Sequence, residues 1–187
     1  VIVREWEKLQ FIDPERALIA LRKFATTQSL YELPYEIASL RKRELRPFGE
    51  SRQCALFCQG LSHIMGRKVV YAQYEHADYD FVARFEKDEV LHYAPIQMKE
   101  LVPEELNPHA NLQSELNKLE KYADSKDLVI AIHINRAATV HLSKLVMPRT
   151  SLGALWFFGA NDQTQNTWTI IGNLLRPGAS SSEFTHP

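Results

Sequence analysis

Residues 128–134 constrain the fold most, because in that run of seven only His133 is polar. A half-exposed strand alternates apolar and polar residues. A run without alternation fits a central strand buried on both faces. Such a strand needs a sheet around it and cover on each side, which points to an α/β or α+β sandwich built on a mixed sheet.

The flanking segments supply both. Asp13-Pro14-Glu15 reads as a helix start, with Asp as N-cap, Pro at the first helical position and Glu near the positive end of the dipole. Ala17, Leu18, Leu21, Phe24 and Ala25 then recur at helical spacing. A second helix is expected from Pro34, carrying Ile37, Leu40 and Leu45. A third follows Pro47-Phe48-Gly49, with the stripe Cys54, Phe57, Cys58, Leu61, Ile64 and Met65 and with Gly66 as C-cap. The pattern then switches to strands at 69–74, 81–85 and 90–98, the last two being arms of a hairpin around Glu86-Lys87-Asp88-Glu89. An amphipathic helix with Leu112, Leu116, Leu119 and Tyr122 on one face precedes the central strand. Residues 154–158 and 167–171 read as further strands. The expected organisation is a helical segment at 1–48 packed on the core, an α/β core at 49–175 and a flexible tail at 176–187 around Ser180-Ser181-Ser182.

At 187 residues this is one domain's worth of chain. No apolar run is long enough to span a bilayer, so no membrane role is expected. The charged first ten residues do not read as a signal peptide. Cys54 and Cys58 stand four apart on an expected helix, where side chains seldom meet disulfide geometry. Free thiols are expected, in a reducing, cytoplasmic setting. Charge divides along the chain. Residues 1–70 hold 12 Lys and Arg against 8 Asp and Glu, a balance of +4, and the remainder holds 10 against 15, a balance of −5. A basic front and an acidic back suit contact with a polyanion beside a cation site, although ordinary surface charge gives the same totals.

Three polar positions stand out. In Tyr93-Ala94-Pro95-Ile96-Gln97-Met98-Lys99, Ile96 and Met98 face one way and Gln97 and Lys99 the other. If the hairpin loop is even, Asp80 shares the face of Gln97 and Lys99, while Phe81, Ala83 and Phe85 join Ile96 and Met98. Glu50 opens the third helix on the side of its apolar stripe, where a carboxylate is unusual unless paired or holding a cation.

A helix with an acidic residue, a strand, an Asp opening a hairpin, a strand ending in Gln-x-Lys, then a helix and a strand resembles the PD-(D/E)xK nuclease superfamily. Ile96-Gln97-Met98-Lys99 looks like the Gln-x-Lys form of the Mrr-type restriction endonucleases. The resemblance covers about residues 49–135. It implies a restriction-endonuclease-like core and a nuclease dependent on Mg²⁺ or Mn²⁺ that acts on DNA, with RNA the other candidate. Asp80 would be the main metal ligand, with Gln97 and the Met98 carbonyl completing the set. Lys99 would orient water or neutralise developing charge. Glu50 would hold the ion's hydration shell or a second ion. Gln97 stands where most of the superfamily has a carboxylate, so the site carries one negative charge fewer. Glu75 and Asp78 are candidates to compensate.

Each residue also has an ordinary reading alone: Asp80 as a strand cap, Lys99 as a solvated strand end, Gln97 as an edge amide, Glu50 as a first-turn carboxylate. Arg41, Lys42, Arg43, Arg46 and Arg52 are candidates to track a phosphate backbone, or else a solvated helix face. His63, His92 and His133 read as satisfied core or edge residues, with no zinc spacing. The competing function is an inactive nuclease-fold module that binds nucleic acid or a protein. Oligomeric state is left open, a homodimer included.

Overall fold

The computed structural model describes residues 2–27, 33–122 and 125–187. The chain forms an α+β fold around one seven-stranded mixed sheet. Helices α1 (Ile2–Trp6), α2 (Pro14–Thr27), α3 (Tyr35–Ala38) and α4 (Arg46–Met65) come first. Strands β1 (Val69–Gln73), β2 (Phe81–Lys87) and β3 (Val90–Leu101) follow as an antiparallel meander. Helix α5 (Leu112–Asn117) and a 3-10 turn at Lys118–Tyr122 cross to β4 (Val129–Ile134), which pairs parallel to β3. A second parallel step reaches β5 (Ala154–Ala160), and β6 (Thr167–Gly172) and β7 (Ser180–Thr185) close the sheet antiparallel. Strand order equals chain order, so β4 is the middle strand of seven, as its unbroken apolar run requires.

Helix α4 is the axis of one layer. Pro47 sits in its first turn, Gly66 ends it at φ 59°, and Cys54, Ala55, Leu56, Phe57 and Cys58 are fully buried. It touches β1 at one end of the sheet and β6 and β7 at the other, so the sheet curls around it. Gly60 marks the closest approach: a Cβ there would stand 2.8 Å from the Phe184 ring and 3.2 Å from Ile170. The opposite face of the sheet packs a second apolar cluster, which includes Leu116, Leu119, Tyr122, Ile130, Ile132 and Phe157. Asp13 caps α2 as expected. It accepts from the backbone N–H of Glu15 at 3.1 Å and from the Lys68 ammonium at 2.6 Å.

Three expectations are corrected. The helix from Pro34 is one turn only. Leu40 adopts φ 57°, which stops it, and Ile37, Leu40 and Leu45 share no helical face. Helix α4 starts at Arg46 and runs through Pro47-Phe48-Gly49 instead of following them. The expected tail is strand β7. Phe184 is buried against α4, so the serine-rich composition is that of a polar edge strand. Cys54 and Cys58 are free and buried. Among the described residues no helix is long and apolar enough to cross a membrane.

Candidate functional site

The β2–β3 hairpin sets the site. Its turn is Asp88-Glu89, with both residues left-handed at φ 52° and 63°. Two turn residues make the register odd, with Lys87 opposite Val90 and Phe81 opposite Ile96. Phe81, Ala83, Ile96 and Met98 therefore face α4. One step before β2, Asp80 donates its N–H to the Ile96 carbonyl at 3.0 Å and accepts at its own carbonyl from Tyr74 at 2.9 Å. Those two bonds fix Asp80 opposite Gln97.

The side chains then meet. The Gln97 Nε2 donates to Asp80 Oδ2 and, at 3.2 Å, to the Met98 carbonyl. The Met98 N–H points at the same carboxylate oxygen at 3.4 Å. The other end of the Gln97 amide, Oε1, faces the Tyr122 hydroxyl at 3.5 Å. Gln97 is only 8 % exposed, so these partners, and not water, orient it. Burial raises the Asp80 carboxyl above its ordinary range. The Met98 N–H and the positive charges of Lys99 and Arg46 pull the other way. Lys99 thus acts on Asp80 through its field.

Glu50 does not line the buried stripe. It is part-exposed and accepts from Arg46 Nε at 3.0 Å across one helical turn. Arg46 joins the two acidic positions, since it binds Glu50 and its charge also reaches Asp80. Glu75 and Asp78 are exposed in the loop between β1 and β2, away from any strand face. Among the described residues neither joins a group of three His, Cys, Asp or Glu side chains that could hold a metal ion.

The expected basic track is dispersed. Arg41 binds Glu100 at 2.7 Å, and Asn135 binds the same oxygen at 2.6 Å. Arg46 is engaged with Glu50. Arg52 turns inward, donating to Gln165 Oε1 at 2.8 Å with its guanidinium 5.9 Å over the Trp168 ring. Only Lys42 and Arg43 of the five are exposed without an ion pair among the described residues. A turn, not a helix face, carries them, so the spacing argument fails where Leu40 breaks the helix.

Two features of the structure go beyond the sequence pattern. Tyr122 was legible only as a core residue, yet its hydroxyl holds the Gln97 amide. The sequence pattern makes His133 a satisfied residue, yet among the described residues its Nδ1 is buried without a partner. Its ring stacks on Phe158 at 5.0 Å and lies 5.6 Å from Trp168. Burial, with the charges of Arg52 and Arg41, pushes its pKa down to about 3. The signal was present as the one polar residue of a strand otherwise apolar on both faces. His63 and His92 are exposed, and His92 stacks on Phe85 at 5.1 Å.

Among the described residues no three His, Cys, Asp or Glu side chains form a metal-binding group. The oxygens that do converge are one carboxylate and one backbone carbonyl, both within hydrogen-bond reach of a single amide nitrogen. That set is compatible with Mg²⁺, which needs one or two carboxylates and keeps several waters. It is a poor set for zinc. Comparison with protein families, with curated proteins and with solved structures finds no match for this chain.

Proposed function

We propose that this chain has a restriction-endonuclease-like core and is a Mg²⁺- or Mn²⁺-dependent nuclease that hydrolyses DNA phosphodiester bonds. One observation carries the reading. Asp80 Oδ2 and the Met98 carbonyl converge on the Gln97 amide from the elements where the Gln-x-Lys resemblance expects a cation. Two oxygens that hold one partly positive N–H between them form a pocket of negative potential. The order of elements supports the reading: α4, the meander β1–β2–β3, α5 and then the parallel strand β4.

Asp80, the Met98 carbonyl and Gln97, with its amide oxygen turned inward, would hold the ion. When bound it polarises the phosphoryl oxygen and lowers the pKa of the attacking water. The Lys99 ammonium stabilises charge that builds on the phosphoryl oxygens. Tyr122 partners either end of the Gln97 amide, because a hydroxyl both donates and accepts. Glu50, held by Arg46, offers a second carboxylate to orient water. Plasmid incubated with Mg²⁺ or Mn²⁺ is nicked by the wild type and left intact by Asp80→Ala and Lys99→Ala. Equal background cleavage by all three rejects the reading.

A second reading, an inactive module on the same scaffold that binds nucleic acid or a protein, is favoured by the amide itself. Gln97 Nε2 bonds the two oxygens an ion would need, and Arg46 occupies Glu50. Absence of a calorimetric signal with Mn²⁺, together with salt-sensitive DNA binding, selects that reading.

A further inference from the structure

The parallel strands β3 and β4 end together, and a cavity opens past their carboxyl ends. Leu101, the last residue of β3, pairs with Ile134, the last of β4. Side chains alternate along a strand, so Leu101 shares the face of Gln97 and Lys99. It lines a cavity of about 330 Å³ that none of Asp80, Gln97, Lys99 or Glu50 lines. That volume stands at the lower end of the range for small-molecule pockets. The carboxyl ends of parallel strands are a common place for them.

Two sets of hydrogen bonds build the walls. The Gln113 amide donates to the Val146 carbonyl at 3.0 Å and accepts from the Val146 N–H at 2.9 Å, which ties the loop after β4 to α5. Arg136 ties the start of that loop to the segment after β3. Its Nε donates to the Val102 carbonyl at 2.7 Å, its Nη1 to Ala110 at 3.0 Å, and its Nη2 to Val102 and, at 2.8 Å, to Asn107. The cavity is thus shaped without a ligand, so little ordering is left for binding to offset.

The lining combines apolar walls with charge of one sign. Leu112, Val140 and Leu145 supply apolar surface, and Arg136, His141 and Lys144 supply basic groups. Among the described residues no Asp or Glu lines the cavity, and Glu104 and Glu105 of the segment that holds Arg136 stay outside it. Among the described residues neither Arg136 nor Lys144 has a carboxylate partner. The carbonyls around Arg136 are neutral, so they orient its charge and do not cancel it. They take four of the guanidinium N–H groups and leave one, on Nη1.

We propose that this cavity binds a small organic carboxylate, a molecule with an apolar body and one anionic end. The body loses water against Leu112, Val140 and Leu145. The two carboxylate oxygens accept from the remaining Arg136 N–H and from the Lys144 ammonium. A phosphate group asks for more donors than Arg136 has left, and a neutral ligand leaves both charges unanswered. The site goes beyond the nuclease reading, because it needs neither a metal ion nor hydrolysis.

The test titrates hexanoate, hexanol, hexylammonium and acetate into the wild type, followed by calorimetry and by the methyl resonances of Leu112, Val140 and Leu145 in NMR. Hexanoate moves those resonances and binds about tenfold tighter than hexanol, while acetate and hexylammonium leave them in place. Lys144→Glu, on an exposed turn where the change leaves the fold intact, weakens hexanoate about fivefold and leaves hexanol unchanged. Hexanol that binds as tightly as hexanoate overturns the anionic ligand. Resonances that stay fixed with all four probes overturn the site. A short peptide ending in leucine that binds more tightly than hexanoate overturns the small molecule in favour of a protein C-terminus. The wild-type resonances decide each outcome, so a misfolded variant does not blunt the test.

Discussion

The two polar loci differ in how they are satisfied. Around Asp80, the carboxylate oxygen, both ends of the Gln97 amide and the Met98 carbonyl have protein partners. Around His133, among the described residues, a buried ring nitrogen has none and the Arg52 guanidinium lacks a carboxylate. In the first locus a ligand must displace an internal hydrogen bond. In the second the unfilled nitrogen is sealed inside the fold. The first is held shape-ready by its own atoms, and the second carries an open deficit. The same sheet supports both because its two faces are independent, with Gln97 and Lys99 on one and Glu100 and His133 on the other.

The comparison breaks most visibly at Gln97. Gln97→Glu replaces the donated N–H with a second carboxylate against Asp80. In EDTA at pH 8 the variant loses roughly 3 kcal/mol of stability, because like charges meet in a part-buried site. The carboxyl pair is raised relative to the unfolded chain. Stability is therefore retained at low pH and lost as pH rises through the folded-state pKa. Mn²⁺ reverses the loss and raises the melting temperature of the variant more than that of the wild type. Chemical denaturation at pH 5 and pH 8, with and without Mn²⁺, reads all four corners. A variant as stable as the wild type at pH 8 without metal shows that the two groups do not face each other.

His133 sharpens the contrast from the other side. Its ring is neutral in the fold, with a pKa pushed from 6.5 to about 3. The unfolded chain binds the proton first, so stability is full above pH 6.5 and falls as pH drops toward the folded value. The slope is about 1.4 kcal/mol per pH unit in that window. His133→Phe keeps the stack on Phe158, removes the orphan nitrogen and flattens the slope between pH 6.5 and 5. It also gains about 1 kcal/mol at pH 7. Urea melts at three pH values settle it. An unchanged slope assigns the acid sensitivity to other groups.

What could be read in advance follows from range. Alternation and an even turn are local, so the hairpin register, and with it Asp80 facing Gln97, was legible from residues 80–99. The apolar run of β4 was legible for the same reason. The segment around Arg41 was not, because its guanidinium is drawn to Glu100, 59 positions away. Serine-rich composition hid β7, whose order comes from Phe184 filling the space that Gly60 leaves on α4. Tyr122 was invisible as a site residue, and Arg46 was legible as a phosphate contact but not as a charge near Asp80, because those roles depend on where the segment after α5 and helix α4 dock.

The smallest effect tests the turn on which the register rests. Asp88 and Glu89 hold φ values of 52° and 63°, the pair of conformations that favours Asn-Gly. The double variant Asp88→Asn, Glu89→Gly relieves left-handed strain at both positions. Added backbone freedom in the unfolded chain offsets part of the gain, so the net stabilisation is about 0.5–1 kcal/mol. Thermal melts detect that size of change, and the Mn²⁺ response that the proposed nuclease reading expects at Asp80 is unaltered, because the turn remains even. A three-residue turn made by inserting one glycine after Glu89 gives the opposite result. Unless a bulge absorbs the extra residue, β2 slips by one and Phe81 and Ala83 move to the face of Gln97. Asp80 then leaves its place opposite the amide, and the Mn²⁺ response is lost together with much of the stability.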